Sequence, residues 1–326
     1  MITRVEITLL RGIRHGLVDG LSRLDVLVGP NGCGKSTVLD AMLIGLSDEA
    51  REAVARTIRR RAELVSNQAP RYSPEWLVHG GAVDTEAEIL LGFEGDADRL
   101  RPTTLAYGNG SVVVRSNAET GPVSNFAAGA NLRGDRGRLR APPIELIDPL
   151  EDATTPLAEV YSNAARRGRA SFANRVLGDL IRGFEKLEIL SEHGVPILYM
   201  HVDGAPVPVS LAGEGVVALV RTTLELAACA DHGTALLEEP EIHQHPRSLR
   251  LMSEGITAAV KRGVQVVLTT HSLELIELLL ASAAEAGVLD QASVHVVRLR
   301  GGELTAARLP GDSARFQISE IGEDLR

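Results

Sequence analysis

The stretch Gly29-Pro-Asn-Gly-Cys-Gly-Lys-Ser-Thr37 constrains this chain more than any other. It follows an apolar run, Leu24-Asp-Val-Leu-Val28, that reads as a strand, and it precedes Val38–Leu46, which reads as a helix. Strand, glycine loop and helix in that order are the setting in which G-x-x-x-x-G-K-[ST] holds phosphate. Gly29, Gly32 and Gly34 let the backbone curl until successive N–H groups face one anion. The helix that follows offers its first amides and the positive end of its dipole to the same group. Asn31, Cys33 and Thr37 belong to the same cradle. Lys35 is placed to reach the β- and γ-phosphates, and the Ser36 hydroxyl to ligate Mg2+. The stretch predicts a nucleoside triphosphate ligand on an α/β core.

The rest of the composition narrows the surroundings. With 326 residues the chain can bury a substantial core, and its net charge of −9 excludes a wholly basic coat for nucleic acid, though not a local patch. Lys35 is one of three lysines, with Lys186 and Lys261; the other basic residues are arginines. The two cysteines, Cys33 and Cys229, make neither a disulfide framework nor a zinc pattern. No signal peptide opens the chain, and no uncharged apolar run approaches the ~20 residues of a membrane span. A cytoplasmic protein without a membrane partner is expected.

In chain order, Ile2–Leu10 reads as a strand and Arg11–Gly16 as a loop. No aromatic precedes Tyr72, so Arg11, Arg14 or His15 is the candidate to lie against an adenine face; a solvated loop accounts for them equally well. Residues 47–64 read as one helix capped by Ser47, with arginines toward its end. Glu86–Phe93 and Ser111–Arg115 read as strands of a meander. Glu94-Gly-Asp-Ala-Asp98 reads as a solvated acidic loop, and 116–143, with four arginines between Leu132 and Arg140, as a long connection. Ile144–Ile147 reads as a short strand. Pro156–Leu190 is mostly helical in pattern, with Leu177, Leu180, Ile181 and Phe184 on one face. Strands 196–202 and 207–209 join at Asp203-Gly204.

Three further groups carry chemistry. Ser210-Leu-Ala-Gly-Glu-Gly215 enters a helix-like run, Val216–Cys229. Its serine and two glycines make a second, lysine-free anion cradle, or a plain N-cap with a glycine turn. Ala235-Leu-Leu-Glu-Glu-Pro-Glu241 is an apolar strand ending in carboxylates. Beside a phosphate loop, Glu238 suits Mg2+ through water, and Glu239 suits orienting or deprotonating the attacking water. Val264–Ser272 is a buried-type strand with His271 at its carboxyl end, where open α/β sheets bind ligands.

Together these residues resemble an ABC-type ATPase head, as in SMC-like repair ATPases and the overcoming-lysogenization-defect (OLD) family of AAA15/AAA21 ATPases. The resemblance covers most of the chain. It makes Gly29–Ser36 the Walker A motif, Ser210–Gly215 the signature, Leu236–Glu239 Walker B, Ile242–His245 the D-loop and His271 the switch histidine. Arg11-Gly-Ile-Arg14 is similar to the arginine loop of such heads. The fold it implies is a P-loop NTPase of ABC-head type: a mixed sheet core with an antiparallel β-lobe and a helical lobe. One domain is expected, divided into 1–147, 148–205 and 206–326. The cofactors implied are ATP and Mg2+. Lys35, Glu239 and His271 would be catalytic, Ser36 and Glu238 would hold metal, and Ser210, Gly213, Glu214 and Gly215 would bind nucleotide. The partner implied is a second copy: a homodimer with two composite ATP sites, in which ATP acts as a clamp.

The chain departs from the pattern in three places. Walker B has Glu238 where Asp is usual, the signature is not L-S-G-G-Q, and only Gln68 offers itself as a Q-loop residue. His243-Gln-His245 stands where the D-loop meets a partner, which argues against zinc. After His271 there is no Asp-x-Asp and no room for a TOPRIM nuclease, so a nuclease effector would act in trans. The expected function is an ATP-hydrolysing dimerisation switch that drives or gates an effector, in DNA maintenance or anti-phage defence. The other readings are the nucleotide-binding subunit of a membrane transporter and a non-hydrolysing ATP sensor.

Overall fold

The computed structural model of the chain describes residues 1–61, 72–83, 85–123, 144–148 and 155–318, and the side chains of all of these except 96–99. The Gln68 expectation and the arginines of 132–140 lie outside the described residues.

Strands β1 (Ile2–Leu10) and β2 (Ile13–Asp19) form an antiparallel hairpin from Arg4↔Asp19 to Leu10↔Ile13. The expected loop Arg11–Gly16 shrinks to Arg11-Gly12, and residues 13–16 belong to β2. The polar pair Arg14-His15 hid this strand, and Gly16 lets it pack closely on the strand that holds Leu304: a Cβ there would stand 3.0 Å from the Leu304 Cβ. Strand β3 (Leu24–Val28) is buried along its whole length. It leads through the glycine loop into α1 (Lys35–Leu46) and then α2 (Ala50–Arg59). The single helix expected from Ser47 begins later. Ser47 instead ends α1, and its hydroxyl accepts the Glu49 N–H just before α2.

Strands β4 (Glu86–Phe93), β5 (Asp96–Gly108), β6 (Ser111–Ser116) and β7 (Thr120–Val123) make the expected antiparallel meander. Strand β5 escaped the sequence reading because charges and Pro102 break its apolar pattern. Next come β8 (Ile144–Ile147), α3 (Leu157–Arg166) and α4 (Ala170–Leu180). The helical reading of Pro156–Leu190 is overturned beyond Leu180, because β9 (Phe184–Glu192) pairs along its length with β10 (Val195–Val202). Gly183 makes the switch at φ 79°, where a Cβ would fall 2.2 Å from Asp203 Oδ1. The Asp203-Gly204 turn, positive in φ at both residues, carries β10 into β11 (Ala205–Pro208). The remainder is α5 (Glu214–Ala228), β12 (Thr234–Glu238), α6 (Pro246–Lys261), β13 (Gln265–Thr269), α7 (Leu273–Ala286), β14 (Ala292–Arg300), β15 (Glu303–Pro310) and α8 (Gly311–Phe316).

The chain divides into two compact units, one built from Met1–Ile144 and Ser293–Leu309, the other chiefly from Glu145–Ala292. The C-terminal strands β14 and β15 thus join the N-terminal residues, unlike the sequence division at 147 and 205. In the first unit the strand order is β7-β6-β5-β4-β1-β2-β15-β14-β3, a mixed sheet in which β2 and β15 run parallel. The second unit carries parallel β12 and β13 with β8 beside β12, and a separate antiparallel sheet β11-β10-β9. Its helical part closes on Ala173, Leu177, Leu187, Leu198, Val220 and Leu224, all buried. Each large side chain of that set contributes about 1.5–3 kcal/mol by leaving water.

Candidate nucleotide site

The phosphate loop is built from β3 outward. Asp25 anchors that strand: it is fully buried, accepts the Ser22 N–H and lies 2.9 Å from His295 Nε2. Burial pushes the Asp25 carboxyl up, and its bonds to His295 and Ser22 pull the other way. Gly29 follows β3 at φ 145°, where a Cβ would stand 2.4 Å from the Val297 carbonyl oxygen and 2.9 Å from Cys33 Sγ. Gly32 (φ 75°) and Gly34 (φ 98°) complete the curl in conformations that side chains rarely adopt. Gly34 also packs too closely for a Cβ, which would meet Leu304 at 2.7 Å and Ile13 at 3.4 Å. The β1–β2 hairpin therefore lies against the loop.

Helix α1 starts at Lys35 with no side chain capping its N-terminus and no acidic residue in its first turn, which leaves that end suited to an anion. The Lys35 ammonium is buried and donates to the Gly29 carbonyl at 2.8 Å and the Pro30 carbonyl at 3.3 Å. Cys33 is buried in the loop, Asn31 and Gly32 are exposed, and Ser36 and Thr37 are half-buried. A curled glycine backbone, a lysine inside it and a bare helix end fit a triphosphate with its Mg2+; Ser36 is the side chain of the loop that would hold the metal.

Arg11 and Arg14 part company. The Arg11 guanidinium turns inward, 2.5 Å from Asp40 of α1 and within reach of the Thr57 carbonyl. Arg60 and Arg61 approach the same carboxylate at 3.0 and 3.4 Å. Burial holds the Arg11 pKa below its ordinary value, with Asp40 pulling it back up. Arg14 stays exposed on β2 and donates to the Gly301 carbonyl.

The second unit gathers the other predicted residues. The Glu239 N–H meets both the Thr269 carbonyl, at 3.1 Å, and the Thr269 hydroxyl, at 3.2 Å. This tie holds Glu239 at φ 43°, a left-handed conformation that favours glycine. Its Oε1 lies 3.4 Å from His271 Nε2, so the carboxylate and the imidazole expected to be catalytic are brought together. Glu238 ends β12 opposite Thr269 of β13.

Ser210 lies in a short turn, Val209–Leu211, and does not cap α5; Gly213 occupies the N-cap position, with Glu214 exposed in the first turn. Gly215 must be glycine, since a Cβ would stand 2.4 Å from the His243 carbonyl oxygen. The Gln244 side chain donates to the Gly215 carbonyl at 3.1 Å, tying the Ser210–Gly215 turn to Ile242–His245. His243 is exposed near Glu214, and His245 accepts the Arg247 N–H as the cap of α6. No group of three or more metal-ligating side chains occurs among the described residues.

The sequence reading missed Asp40, Glu241 and Gln244. Asp40 reads as one polar residue in an apolar helix, and only its burial marks it. Glu241 was visible as the third carboxylate after β12, and Gln244 as the polar centre of His-Gln-His.

The AAA ATPase domain family matches residues 145–276, almost the span of the second unit. An uncharacterized protein of Methanocaldococcus jannaschii, MJECL11, is 35% identical over 115 residues, covering 35% of this chain and 98% of the relative. The crystal structure of an Smc head bound to the C-terminal winged-helix domain of ScpA superposes with a TM-score of 0.58 at 15% identity, over 96% of this chain and 98% of that one. An Smc head domain with an extended coiled coil, bound to the C-terminal domain of ScpA derived from Pyrococcus furiosus, gives 0.55 at 14%, over 99% of each. The mixed α/β architecture is that of the SMC head P-loop fold. No helix among the described residues is long and apolar enough to cross a membrane.

Proposed function

Because this chain belongs to the AAA ATPase domain family, with the SMC-like ABC-type head fold, we propose that it is a Mg2+-dependent ATPase whose nucleotide state switches its association with a second copy of itself. The observation that carries this reading is the glycine loop at the uncapped start of α1. Gly29–Thr37 hold the triphosphate, Lys35 neutralises its developing charge, and Ser36 and Glu238 hold Mg2+. Mg2+ held there would supply positive charge against the phosphates. Glu239 orients the attacking water and accepts its proton, and His271 steadies the Glu239 carboxylate.

The Ser210–Gly215 turn serves the nucleotide of the partner copy. Leu211, 75% exposed within it, is the apolar residue that such a contact would cover. Arg14, exposed on the hairpin beside the loop, is left to touch the nucleotide, while Arg11 holds α1. The Smc heads similar to this chain are bound to domains of ScpA, and we extend that to an effector protein in trans, in DNA maintenance or anti-phage defence.

Glu239→Gln tests the core of the proposal. It should bind ATP, dimerise in ATP and release less than about a hundredth of the wild-type phosphate. Turnover at the wild-type rate would remove Glu239 from its role. The longer arm of Glu238 favours a second reading, an ATP sensor that does not hydrolyse. Phosphate release that needs Mg2+ and is lost in Lys35→Ala rules that reading out.

A further inference from the structure

Glu241 lies on the turn between β12 and α6, two residues beyond Glu239. Its Oε1 accepts two hydrogen bonds, from the Thr270 hydroxyl at 2.6 Å and from the His271 N–H at 2.8 Å. These are the first two residues after β13. The Thr270 hydroxyl in turn accepts the Ser272 N–H at 2.9 Å, and the Ser272 hydroxyl caps α7 through the Leu275 N–H. One carboxylate oxygen thus fixes the path of the backbone from β13 into α7, and His271 sits in the middle of that path. The other oxygen, Oε2, is buried and accepts no hydrogen bond among the described residues, so this carboxylate has left water to make two bonds at a single atom.

We propose that Glu241 is a positioning residue for ATP hydrolysis, holding His271 where its ring meets Glu239. The inference rests on the ATPase reading above. Bonds to an ionised acceptor are about twice as strong as neutral ones, and these two bind the turn after β12 to the turn after β13. Glu239 is already held to Thr269 through its backbone N–H, so each member of the Glu239–His271 pair is tied to the other's segment. A shift of about 1 Å between reacting groups can cost about a hundredfold in rate, which makes such a brace matter more to turnover than to binding.

The test is steady-state ATP turnover against ATP concentration on the full chain, with thermal melting in parallel. Wild type must first show Lys35-dependent phosphate release; if it does not, the ATPase reading itself has failed. Given that activity, Glu241→Ala should lower kcat by about 10- to 100-fold with KM within about threefold. Glu241→Gln keeps an oxygen able to accept both bonds and should retain at least about a third of wild-type kcat. Thr270→Val removes one of the two bonds to Glu241, together with the Ser272 N–H bond, and should fall between the two. Should Glu241→Ala fail to fold, Glu241→Asp, one methylene short of both donors, takes its place. A kcat within twofold of wild type in the Ala or Asp variant, or a loss that Gln does not relieve, would overturn the proposal.

Discussion

The turns after β3 and after β12 both hold the backbone at positive φ, and they do so in opposite ways. After β3 the residues at positive φ are Gly29, Gly32 and Gly34, which adopt it without strain. After β12 the residue is Glu239, at φ 43°, where a side chain is disfavoured by about 1–2 kcal/mol. The first turn needs a bare backbone, because its ligand is to be held by N–H groups. The second keeps a carboxylate despite the strain, because the side chain is its working part; Thr269, Thr270 and Glu241 supply the bonds that hold it. Spacing alone identifies a backbone site, whereas a side-chain site is identified by what braces it.

The largest effect should come from putting a side chain into the backbone turn. Gly29→Ala would drive a Cβ against the Val297 carbonyl oxygen, which belongs to a neighbouring strand and cannot swing aside. A loss of about 3 kcal/mol or more in unfolding free energy is expected, together with loss of ATP binding by calorimetry. If the variant melts with wild type and binds ATP, the close packing of the loop on β14 is not what shapes it.

The contrast also explains what could be read from the sequence. The glycine loop, β1, β3, β4, β8 and the strand–acid order at Glu238-Glu239 were legible because periodicity and glycine spacing are local. Strand β2 hides behind Arg14-His15, and residues 184–190 share a helical periodicity with the segment before them; pairing of β2 with β1 and β15, and of β9 with β10, decides both as strands against their local pattern. The carboxylate–histidine pair could be named, but Glu241 could not be given a role until β13 was set beside β12.

A middle-sized effect separates the two arginines of the hairpin. Arg11→Ala withdraws a buried cation from Asp40, leaving Arg60 and Arg61 on the carboxylate, and should cost about 2 kcal/mol in unfolding free energy. Arg14→Ala removes an exposed side chain and should change stability by less than about 0.5 kcal/mol, while weakening ATP binding severalfold. Chemical denaturation and ATP titration of the two variants check the division. An Arg11→Ala chain of full stability with weakened ATP binding would return that arginine to the nucleotide.

The smallest effect is the most discriminating between the two turns. Glu239→Gly gives the second turn the residue type of the first. The backbone bonds to Thr269 remain, the strain at φ 43° is relieved, and the unfolded chain gains glycine's entropy, so the terms nearly cancel. Unfolding free energy should stay within about 1 kcal/mol of wild type, on the stabilised side if strain relief dominates, while ATP turnover is lost. A fall of more than about 1 kcal/mol would show that the Glu239 side chain, through His271, holds the fold rather than serving the chemistry. An unchanged or raised stability with no turnover identifies Glu239 as a residue kept at a cost to stability for what its carboxylate does.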